Sequence, residues 1–333
     1  MRRCLSLLIL SFAVIFAGCM PAFGPQSAQE REDTVSESLV LSETEDTVTF
    51  RDAQGEKTLK KHPQRVVCLY NSLLDLWYLS GGTAVARVDG DAGLDEQLLS
   101  LPLAGSMSAP SLEAVVAFEP DLVLLTVTLD AQLSLAESLE QNGIPYLMCD
   151  LRSDSFGGFV RYGELFAHLN GDGTAFEEAI QPVAERCREI CRQTQEVSEQ
   201  PTVAILYSAP KYVKLETSLS QTGQMTQMLG AQNIVSQQEA PSDGSVRIDL
   251  SFETLLVRDP DYILVVIMGD EEKCQDTFRQ TLSDNPAWAE LSAVKNGNFL
   301  YLPKEYSIYK PNGHYAEAFS YLAGVLYPEL ELR

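Results

Sequence analysis

Short apolar runs alternate with amphipathic stretches along the chain from residue 65 onward. Short apolar runs predict buried strands, and stretches with a helical period predict helices. The predicted strands are residues 65–69, 84–88, 122–126, 146–150, 202–207, 262–268 and 299–302. The predicted helices are residues 73–79, 112–118, 131–142, 156–168, 221–229, 272–282 and 315–327. Ahead of them, residues 47–52 and 57–61 predict a hairpin. This alternation indicates an α/β fold with largely parallel sheets.

One sequence pattern occurs twice. A Ser-x-Glu triplet, six further residues and then Pro-Asp begin at Ser111 and again at Ser251. In both copies the Ser can cap a helix, and the Glu falls in the first turn, where a carboxylate is favoured. An apolar run after each Pro-Asp predicts a buried strand. Because helices of such sheets begin at the carboxyl edge of the preceding strand, Glu113 and Glu253 are expected at equivalent rims of two lobes.

A helical period extends over residues 175–199, between the two copies of the repeat, with no glycine and no break after Pro182. A new series of strands follows it, so this helix is expected to join two lobes. The predicted fold class is α/β, with two doubly wound lobes joined by a single long α-helix and a ligand cleft between the lobes. The expected boundaries are 46–171 for the amino-terminal lobe, 172–199 for the connecting helix and 200–333 for the carboxyl-terminal lobe.

The amino terminus has the features of an export signal. Arg2 and Arg3 precede an apolar run over residues 5–17, which is too short to span a bilayer comfortably. The Ala-Gly-Cys that ends at Cys19 resembles the bacterial lipobox, with Phe16 in place of the usual Leu. The sequence therefore predicts a signal peptide over 1–18, lipidation of Cys19, and a flexible, polar tether over 19–45. The mature protein is expected outside the cytoplasm, anchored to the cell membrane by lipid.

Composition narrows the possible partners and activities. The 333 residues include 24 basic and 47 acidic side chains, and the formal charge of −23 argues against nucleic acid as a partner. Five cysteines lie beyond Cys19, at positions 68, 149, 187, 191 and 274, and their spacing is unlike a disulfide framework or a metal site. The sequence lacks a nucleophile elbow, a phosphate loop and a dinucleotide fingerprint, so no enzyme activity is expected.

Further short motifs surround the repeat. The first lobe carries Arg65-Val66-Val67, Gly105, Pro110-Ser111-Leu112-Glu113 and Glu119-Pro120-Asp121-Leu122-Val123. The second carries Leu229-Gly230-Ala231-Gln232-Asn233-Ile234, Ser251-Phe252-Glu253, Asp259-Pro260-Asp261, Trp288, Leu291-Ser292-Ala293-Val294-Lys295 and Tyr327-Pro328-Glu329. In this order, over residues 48–329, the motifs resemble the class III substrate-binding lipoproteins of ABC importers for ferric siderophores, haem and cobalamin, in the periplasmic-binding-protein family.

The resemblance implies a function and a set of partners. It implies a monomer that captures an iron chelate, such as a ferric siderophore, or a similar metal complex, and delivers it to an ABC permease dimer with its ATPase. It implies neither catalysis nor a resident cofactor or metal. In that family the glutamates corresponding to Glu113 and Glu253 pair with arginines of the permease dimer. A haem- or cobalamin-binding member is one alternative, and a surface-anchored sensor or adhesion lipoprotein that has lost transport is another.

The ligand is expected where loops after the strands line the carboxyl edges of the sheets. The candidate residues are Tyr70, Asn71, Ser72, Met107, Lys211, Tyr212, Arg247, Tyr306, Tyr309 and Lys310. The stretch 306–312 carries most weight, because it places aromatic and cationic groups between a strand and the last helix. Such a surface suits a large, flat, partly anionic ligand. The alternative is that the two tyrosines of this stretch fill the joint between strand and helix.

The positions of the histidines indicate whether a bare metal ion or haem could be the ligand. The chain has three, and only His314 lies near the expected cleft. Because a bare metal ion needs several converging His and carboxylate side chains, such a site is not expected. Haem needs an axial ligand, and Tyr70, Met107 and Tyr309 are possible alternatives to His314. Haem stays open as a ligand.

Overall fold

A computed structural model describes residues 37–91, 93–151 and 154–332. The predicted signal peptide, Cys19 and the tether as far as residue 36 lie outside the described residues. The strands are β1 (Val40–Glu43), β2 (Thr47–Asp52), β3 (Gly55–Lys60), β4 (Val66–Cys68), β5 (Ala86–Arg87), β6 (Gly105–Ser106), β7 (Ala109–Pro110), β8 (Leu122–Thr126), β9 (Tyr146–Cys149), β10 (Thr202–Ala209), β11 (Tyr212–Glu216), β12 (Gln232–Asn233), β13 (Arg247–Asp249), β14 (Tyr262–Ile267) and β15 (Phe299–Tyr301).

The α-helices are α1 (Asn71–Leu79), α2 (Glu96–Leu99), α3 (Leu112–Val116), α4 (Asp130–Gln141), α5 (Ser155–Asn170), α6 (Gln181–Gln195), α7 (Gln221–Met228), α8 (Phe252–Arg258), α9 (Glu271–Phe278), α10 (Ser292–Lys295), α11 (Lys304–Ser307) and α12 (Tyr315–Leu326). A π-helical turn, Phe176–Ile180, leads directly into α6, and another, Arg279–Ser283, follows α9. In the described part of the chain, no helix is both long and apolar enough to cross a bilayer.

Four parallel strands form the first sheet, in the order β5-β4-β8-β9. Successive residues of β8 enter two different apolar clusters, with Leu122 and Leu124 in one and Val123 and Leu125 in the other. Because side chains of a strand alternate between its two faces, β8 is covered on both sides. This explains the continuous apolar run in the sequence. We call the part of the chain built on this sheet the first lobe.

The second sheet, which forms the second lobe, has the order β13-β11-β10-β14-β15, with β12 paired to β10. Strands β10, β12, β14 and β15 are parallel, whereas β11 and β13 are antiparallel to their neighbours. The assignment of Lys211 to Lys214 to a loop was wrong in part. A turn at Pro210 and Lys211 reverses the chain, so Tyr212 and Lys214 lie on β11.

The predicted amino-terminal hairpin is confirmed as β2 and β3, and β1 adds a third antiparallel strand. The prediction of a flexible tether as far as residue 45 was wrong for Val40–Glu43, because this stretch pairs with β2. This small sheet is attached to the first lobe. Val48 and Phe50 are buried in its core. The carboxylate of Asp52 accepts the backbone N–H of Met148 on β9 (3.1 Å) and pairs with Lys57 (3.0 Å). The hairpin therefore extends the first lobe.

The two copies of the sequence repeat fold alike. Ser111 and Ser251 each accept the backbone N–H three residues ahead and cap α3 and α8. In both copies the residue directly before the proline has a positive φ: Glu119 at 46° and Asp259 at 34°. A non-glycine residue in this region is uncommon, so its occurrence at equivalent positions supports a repeated structural unit.

The aspartate of each Pro-Asp pair anchors the first strand of its sheet. Asp121 accepts the backbone N–H of Arg65, just before β4, at 2.8 Å. Asp261 accepts the backbone N–H of Thr202, at the start of β10, also at 2.8 Å. Each aspartate precedes the strand that pairs in parallel with the strand it anchors. The repeat thus fixes the pairing of two neighbouring strands in both lobes.

The helix predicted over 175–199 differs from the expectation at both ends. It begins with the wide π-helical turn, because Pro182 lacks an N–H and would clash within a regular helix. It also ends before residue 196. The side-chain amide of Gln200 donates to the carbonyl oxygens of Thr194 (3.1 Å) and Val197 (2.8 Å), which replaces the bonds of a further turn.

The two lobes share an apolar core in addition to the connecting helix. One cluster of buried side chains includes residues of β4, β8 and β9 from the first sheet and β10 and β14 from the second. Helices α5, α6, α7 and α12 supply the residues between them. Within it, the rings of Phe156 on α5 and Tyr315 on α12 meet edge to face at 5.3 Å. The connecting helix is therefore one part of a wider packed joint between the lobes.

Candidate functional site

The carboxyl ends of the parallel strands are the first place to look for a binding site, because open α/β sheets bind ligands there. In the first lobe, β4 ends directly before Tyr70 and α1, and β5 leads into a loop that carries Asp91. In the second lobe, β14 ends at the exposed Met268. After β15, the chain passes from the second lobe to the carboxyl edge of the first sheet.

Residues 308–314, which we call the crossing segment, connect the second sheet to α12 and bind to the first lobe. Asn312 is buried, and its side-chain amide donates to the carbonyl oxygen of Ser72 and to the carboxylate of Asp75, both at 2.8 Å. Both acceptors lie on α1. Burial raises the pKa of Asp75, and the hydrogen bond from Asn312 opposes that shift. The crossing segment is thereby fixed to a helix that starts at the expected cleft.

Tyr309 spans the distance between the lobes. Its hydroxyl donates to the carboxylate of Asp91 at 3.4 Å, and its carbonyl oxygen accepts the side-chain amide of Gln221, on α7, at 2.7 Å. The ring lies against Gly93, where an added Cβ would come within 3.2 Å of it. Burial, together with Asp91, raises the pKa of Tyr309, which keeps the phenol neutral as a donor. Tyr309 thus contacts both lobes.

Lys310 reaches inward to the start of α5. Its ammonium donates to the hydroxyl of Ser155 at 2.6 Å and approaches the carbonyl oxygen of Leu151 at 3.4 Å. The Ser155 hydroxyl is also 2.9 Å from the hydroxyl of the buried Tyr315. Burial lowers the pKa of Lys310 to about 8, and the carboxylate of Asp154 opposes that shift. These contacts make Lys310 part of the joint between the lobes.

A cluster of cationic and aromatic side chains lies on the second lobe. The guanidinium of Arg247 lies 3.7 Å from the centre of the Tyr207 ring and pairs with the carboxylate of Glu216 at 2.9 Å. The Tyr207 ring stacks on Tyr212 at 6.2 Å between ring centres. Lys214 is 5.8 Å from the centre of the Tyr212 ring. These five residues form what we call the cation–aromatic cluster.

Arg247 is the group of this cluster that suits an anionic ligand best, because Lys214 is paired with the carboxylate of Asp249 at 3.3 Å. Burial raises the pKa of Glu216, and Arg247 opposes the shift as its ion-pair partner. The ion pair uses the Nε atom of Arg247, so its terminal nitrogens can donate to another anion. About one third of the Arg247 side chain is exposed, as is a similar fraction of Lys214. The cluster therefore offers both positive charge and a flat apolar face.

The edge of the first lobe carries polar side chains together with the carboxylates of Asp89 and Asp91. Asn71 is buried and donates to the carbonyl oxygens of Asp89 (2.9 Å) and Gly90 (3.1 Å), which fixes the loop before Asp91. Its side-chain oxygen has no partner within the described residues. Burial raises the pKa of Tyr70, so its phenol is neutral. The loop before Asp91 and the start of α1 are therefore held in fixed positions at this edge.

The remaining predicted ligand residues lie apart from these contacts. Met107 is half-buried, and its backbone N–H donates to Asp89 at 3.2 Å. Lys211 is exposed in the turn between β10 and β11. Tyr306 packs on Tyr321 of α12 at 5.6 Å between ring centres, as expected if it fills a joint. The ligand-binding role of each predicted residue stays a prediction.

The sequence analysis missed residues that connect the predicted ones. Tyr207 links Arg247 to Tyr212, and Asp91 receives Tyr309. Tyr207 was assigned only to a buried strand, and its position near the end of β10 was the available signal. Asp91 gave no local signal, because its partner lies 218 residues away in sequence.

Two concave regions of the described surface lie elsewhere. The larger, about 490 Å³, is lined by residues such as Pro201, Asp261 and Asn298, which precede β10, β14 and β15. It is therefore at the amino edge of the second sheet. The smaller, about 380 Å³, is lined by Lys61, His62 and their neighbours. Because ligands of open sheets bind at the carboxyl edge, we place the candidate site at the cation–aromatic cluster and crossing segment.

Comparison with protein families agrees with this fold. The family model described as "Periplasmic binding protein" matches residues 66–306. The chain belongs to the periplasmic binding protein family. It is accordingly a substrate-binding protein of a transporter and not an enzyme, which confirms the expectation from the sequence. Proteins of this kind act outside the cytoplasm together with a permease and its ATPase.

Individual relatives are distant but cover most of the chain. The Fe(3+)-citrate-binding protein YfmC of Bacillus subtilis (strain 168) is 25% identical over 305 residues, which are 89% of this chain and 90% of that protein. The Fe(3+) dicitrate-binding periplasmic protein FecB of Escherichia coli (strain K12) is 24% identical over 261 residues, 74% of this chain and 79% of that one.

Among solved structures, Staphylococcus aureus SirA complexed with staphyloferrin B has a TM-score of 0.68 at 17% identity. The match covers 86% of this chain and 99% of SirA. At this identity the likeness concerns the fold alone. It confirms the two-lobed α/β class predicted from the sequence.

We predict that Asn312 stabilises the joint through its side chain and its backbone conformation separately. Asn312→Gly removes the two hydrogen bonds to α1 and should lower the free energy of unfolding by about 2 kcal/mol. Asn312→Ala should cost about 1 kcal/mol more, because φ is 45° at this position. Chemical denaturation measures both changes. The exposed Asn142→Ala, which loses only a local bond to Ser138, should change stability by less than about 0.5 kcal/mol. Wild-type stability of Asn312→Gly would contradict the assignment.

We also predict a pH dependence that belongs to Lys310. Its pKa is about 8 in the folded protein, against roughly 10.4 in an unfolded chain. The unfolded state therefore binds more protons between these values, and stability should rise with pH in this window. Between pH 7 and pH 10, Lys310 should therefore raise the free energy of unfolding by about 2 kcal/mol. The difference in unfolding free energy between wild type and Lys310→Met, measured at both pH values, isolates it. A difference that does not change with pH would show that Lys310 is not buried in this way.

Proposed function

We propose that the protein captures an anionic ferric chelate at the carboxyl edges of its two sheets and delivers it to an ABC permease. The observation that carries this proposal is Arg247, held between the Tyr207 ring and Glu216 with its terminal nitrogens available. Guanidinium groups bind carboxylates through paired hydrogen bonds. The relatives named for ferric citrate support the same ligand class.

The chemistry of the two edges suits a metal complex that is already formed. Ferric citrate and ferric siderophores present anionic oxygen atoms on their outer surface, and Arg247 can bind these without contacting the iron. Tyr212, which is 47% exposed and stacked on the buried Tyr207, offers a ring to any flat part of the ligand. On the opposite side, Tyr309 and Asp91 would lie next to the bound chelate. In this proposal the iron keeps the oxygen ligands of the chelate throughout.

Haem receives less support than an anionic chelate. His62 is bound to the carbonyl oxygen of Asn170 and His168 to Glu43, both away from the crossing segment. His314 ends the crossing segment, where it is exposed and lies 3.7 Å from Glu317. Axial ligation would therefore depend on Met107 or on Tyr70 and Tyr309, and burial raises the pKa values of both tyrosines and keeps them neutral.

We further propose that Cys19 is lipidated and that the residues between Cys19 and β1 tether the folded body to the membrane. The lipobox-like Ala-Gly-Cys follows the apolar run of the signal directly. A diacylated cysteine provides the two chains needed for stable attachment. The protein would then stand near the permease as a monomer. Its acidic surface would keep it soluble and away from anionic lipid.

We predict that the ligand is anionic and that Arg247 binds it. The body from Ser38 onward, titrated with ferric citrate, ferric enterobactin, haemin and cobalamin, should give saturable binding with a ferric chelate. Arg247→Ala should weaken that binding at least tenfold, because it removes a charge-assisted contact of about 1.5–3 kcal/mol. Arg279→Ala, an exposed arginine paired with Asp276 on α9, should have no effect. Tight binding of cobalamin alone would contradict the proposal.

We predict that Glu113 and Glu253 dock the permease without touching the ligand. Both are exposed, in the first turns of α3 and α8. Glu113→Lys combined with Glu253→Lys should abolish uptake of the chelate by cells, while ligand affinity stays unchanged. Glu137→Lys combined with Glu272→Lys introduces the same charge at other exposed sites and should leave uptake intact. Normal uptake by the first double variant would favour the sensor alternative.

A further inference from the structure

Exposed aliphatic side chains occupy matching positions of the repeat. Val116 follows Glu113 by three residues and is 41% exposed. Leu256 follows Glu253 by three residues and is 38% exposed. Residues three apart are neighbours on one face of a helix. Each rim helix therefore presents a carboxylate and an aliphatic group side by side on its outward face.

The orientation of the two helices is the same. The residues just before the exposed pair, Val115 and Leu255, are fully buried in both copies. Across the described residues, seven large apolar side chains are exposed, and three of these lie on α3 or α8. Such a concentration on two short helices is a feature of an interaction surface and not of chance exposure.

We propose that these aliphatic groups form apolar contacts with the permease, one rim helix on each subunit of a permease dimer. This inference rests on the proposed function and extends it. The two equivalent patches call for a partner with two equivalent sites, each with a cation beside an apolar depression. A two-fold symmetric dimer meets that requirement, and a single asymmetric partner does not.

The aliphatic contact has a physical reason. Exposed ion pairs contribute little affinity and are screened by salt, so Glu113 and Glu253 suit orientation better than strength. Burial of apolar surface is insensitive to such screening and supplies the missing affinity. The carboxylates then set the register, and the neighbouring aliphatic groups hold the complex.

The second rim offers the larger apolar surface. Val257 is 78% exposed, whereas the equivalent residue of the first copy is the smaller Ala117. Arg258, the next residue, pairs with Glu239 at 2.7 Å. That ion pair directs the guanidinium of Arg258 to Glu239 and not to Glu253. The two rims thus share a pattern but differ in size.

Photo-crosslinking of the full chain in its own cells tests the inference. The crosslinking amino acid benzoylphenylalanine replaces Ala117 in one variant and Val257 in another, which are equivalent positions next to the proposed contacts. Both should yield an adduct with the same polytopic membrane protein. Glu113→Lys with Glu253→Lys, added to either variant, should remove the adduct.

A second pair of substitutions measures how much the aliphatic side chains contribute to binding of the permease. Val116→Ser with Leu256→Ser should reduce the adduct yield at both positions about tenfold, from the loss of two partly exposed aliphatic contacts. The matched control is Leu41→Ser on β1, because Leu41 is 46% exposed and lies outside both rim helices. It should leave the adduct yield unchanged. Val116→Ile with Leu256→Met keeps the apolar surface and should retain the yield.

The outcomes of these experiments distinguish a failure of the aliphatic contact from a failure of permease docking itself. Unchanged adduct yields with the two serine substitutions, while the charge reversals remove the adducts, would overturn the aliphatic contact and leave docking intact. Adducts with two different proteins would overturn the single dimeric partner. No membrane-protein adduct at either position would overturn docking and the inference together. Should the serine pair unfold on heating before the wild type does, Val116→Thr with Leu256→Gln gives the same comparison at nearly constant volume.

Discussion

The attachment of the crossing segment to the first lobe is the constraint on which the rest of the structure depends. This stretch leaves the second sheet and donates partly buried hydrogen bonds to α1 through Asn312 and to α5 through Lys310. Buried donors and acceptors are costly to leave without partners, so these bonds resist any large separation of the lobes. The shared apolar core acts in the same direction. Motion between the lobes should therefore be a small rocking movement about a packed joint.

The position of the candidate site follows from that joint. The crossing segment brings Tyr309 to the loop of Asp91 in the first lobe and to Gln221 in the second. The cation–aromatic cluster belongs to the same lobe as the start of that segment. An anionic ligand would thus meet fixed surfaces that need little rearrangement, which lowers the entropic cost of binding. The net charge of −23 makes the local placement of Arg247 and Lys214 more significant, because the rest of the surface repels anions.

The sequence predicted the framework of this fold, because the framework depends on local patterns. Apolar runs predicted the buried strands, and the repeat around Ser111 and Ser251 predicted two equivalent helix–strand units, which the structure confirms. Strands β11 and β13 were missed, since they are short, carry charged residues such as Lys214 and Arg247, and depend on pairing with each other. The contacts of the crossing segment join residues far apart in sequence. Periodicity holds no information about such pairs, so Asp91 could not be recognised in advance.

The most direct test of this account is the position of iron in a crystal of the protein with a bound ferric chelate, located by anomalous scattering. We expect one iron site between the carboxyl edges of the two sheets, with Arg247 contacting the chelate and Tyr309 beside it. An iron site in the cavity near Pro201 and Asn298, at the opposite edge of the second sheet, would contradict it.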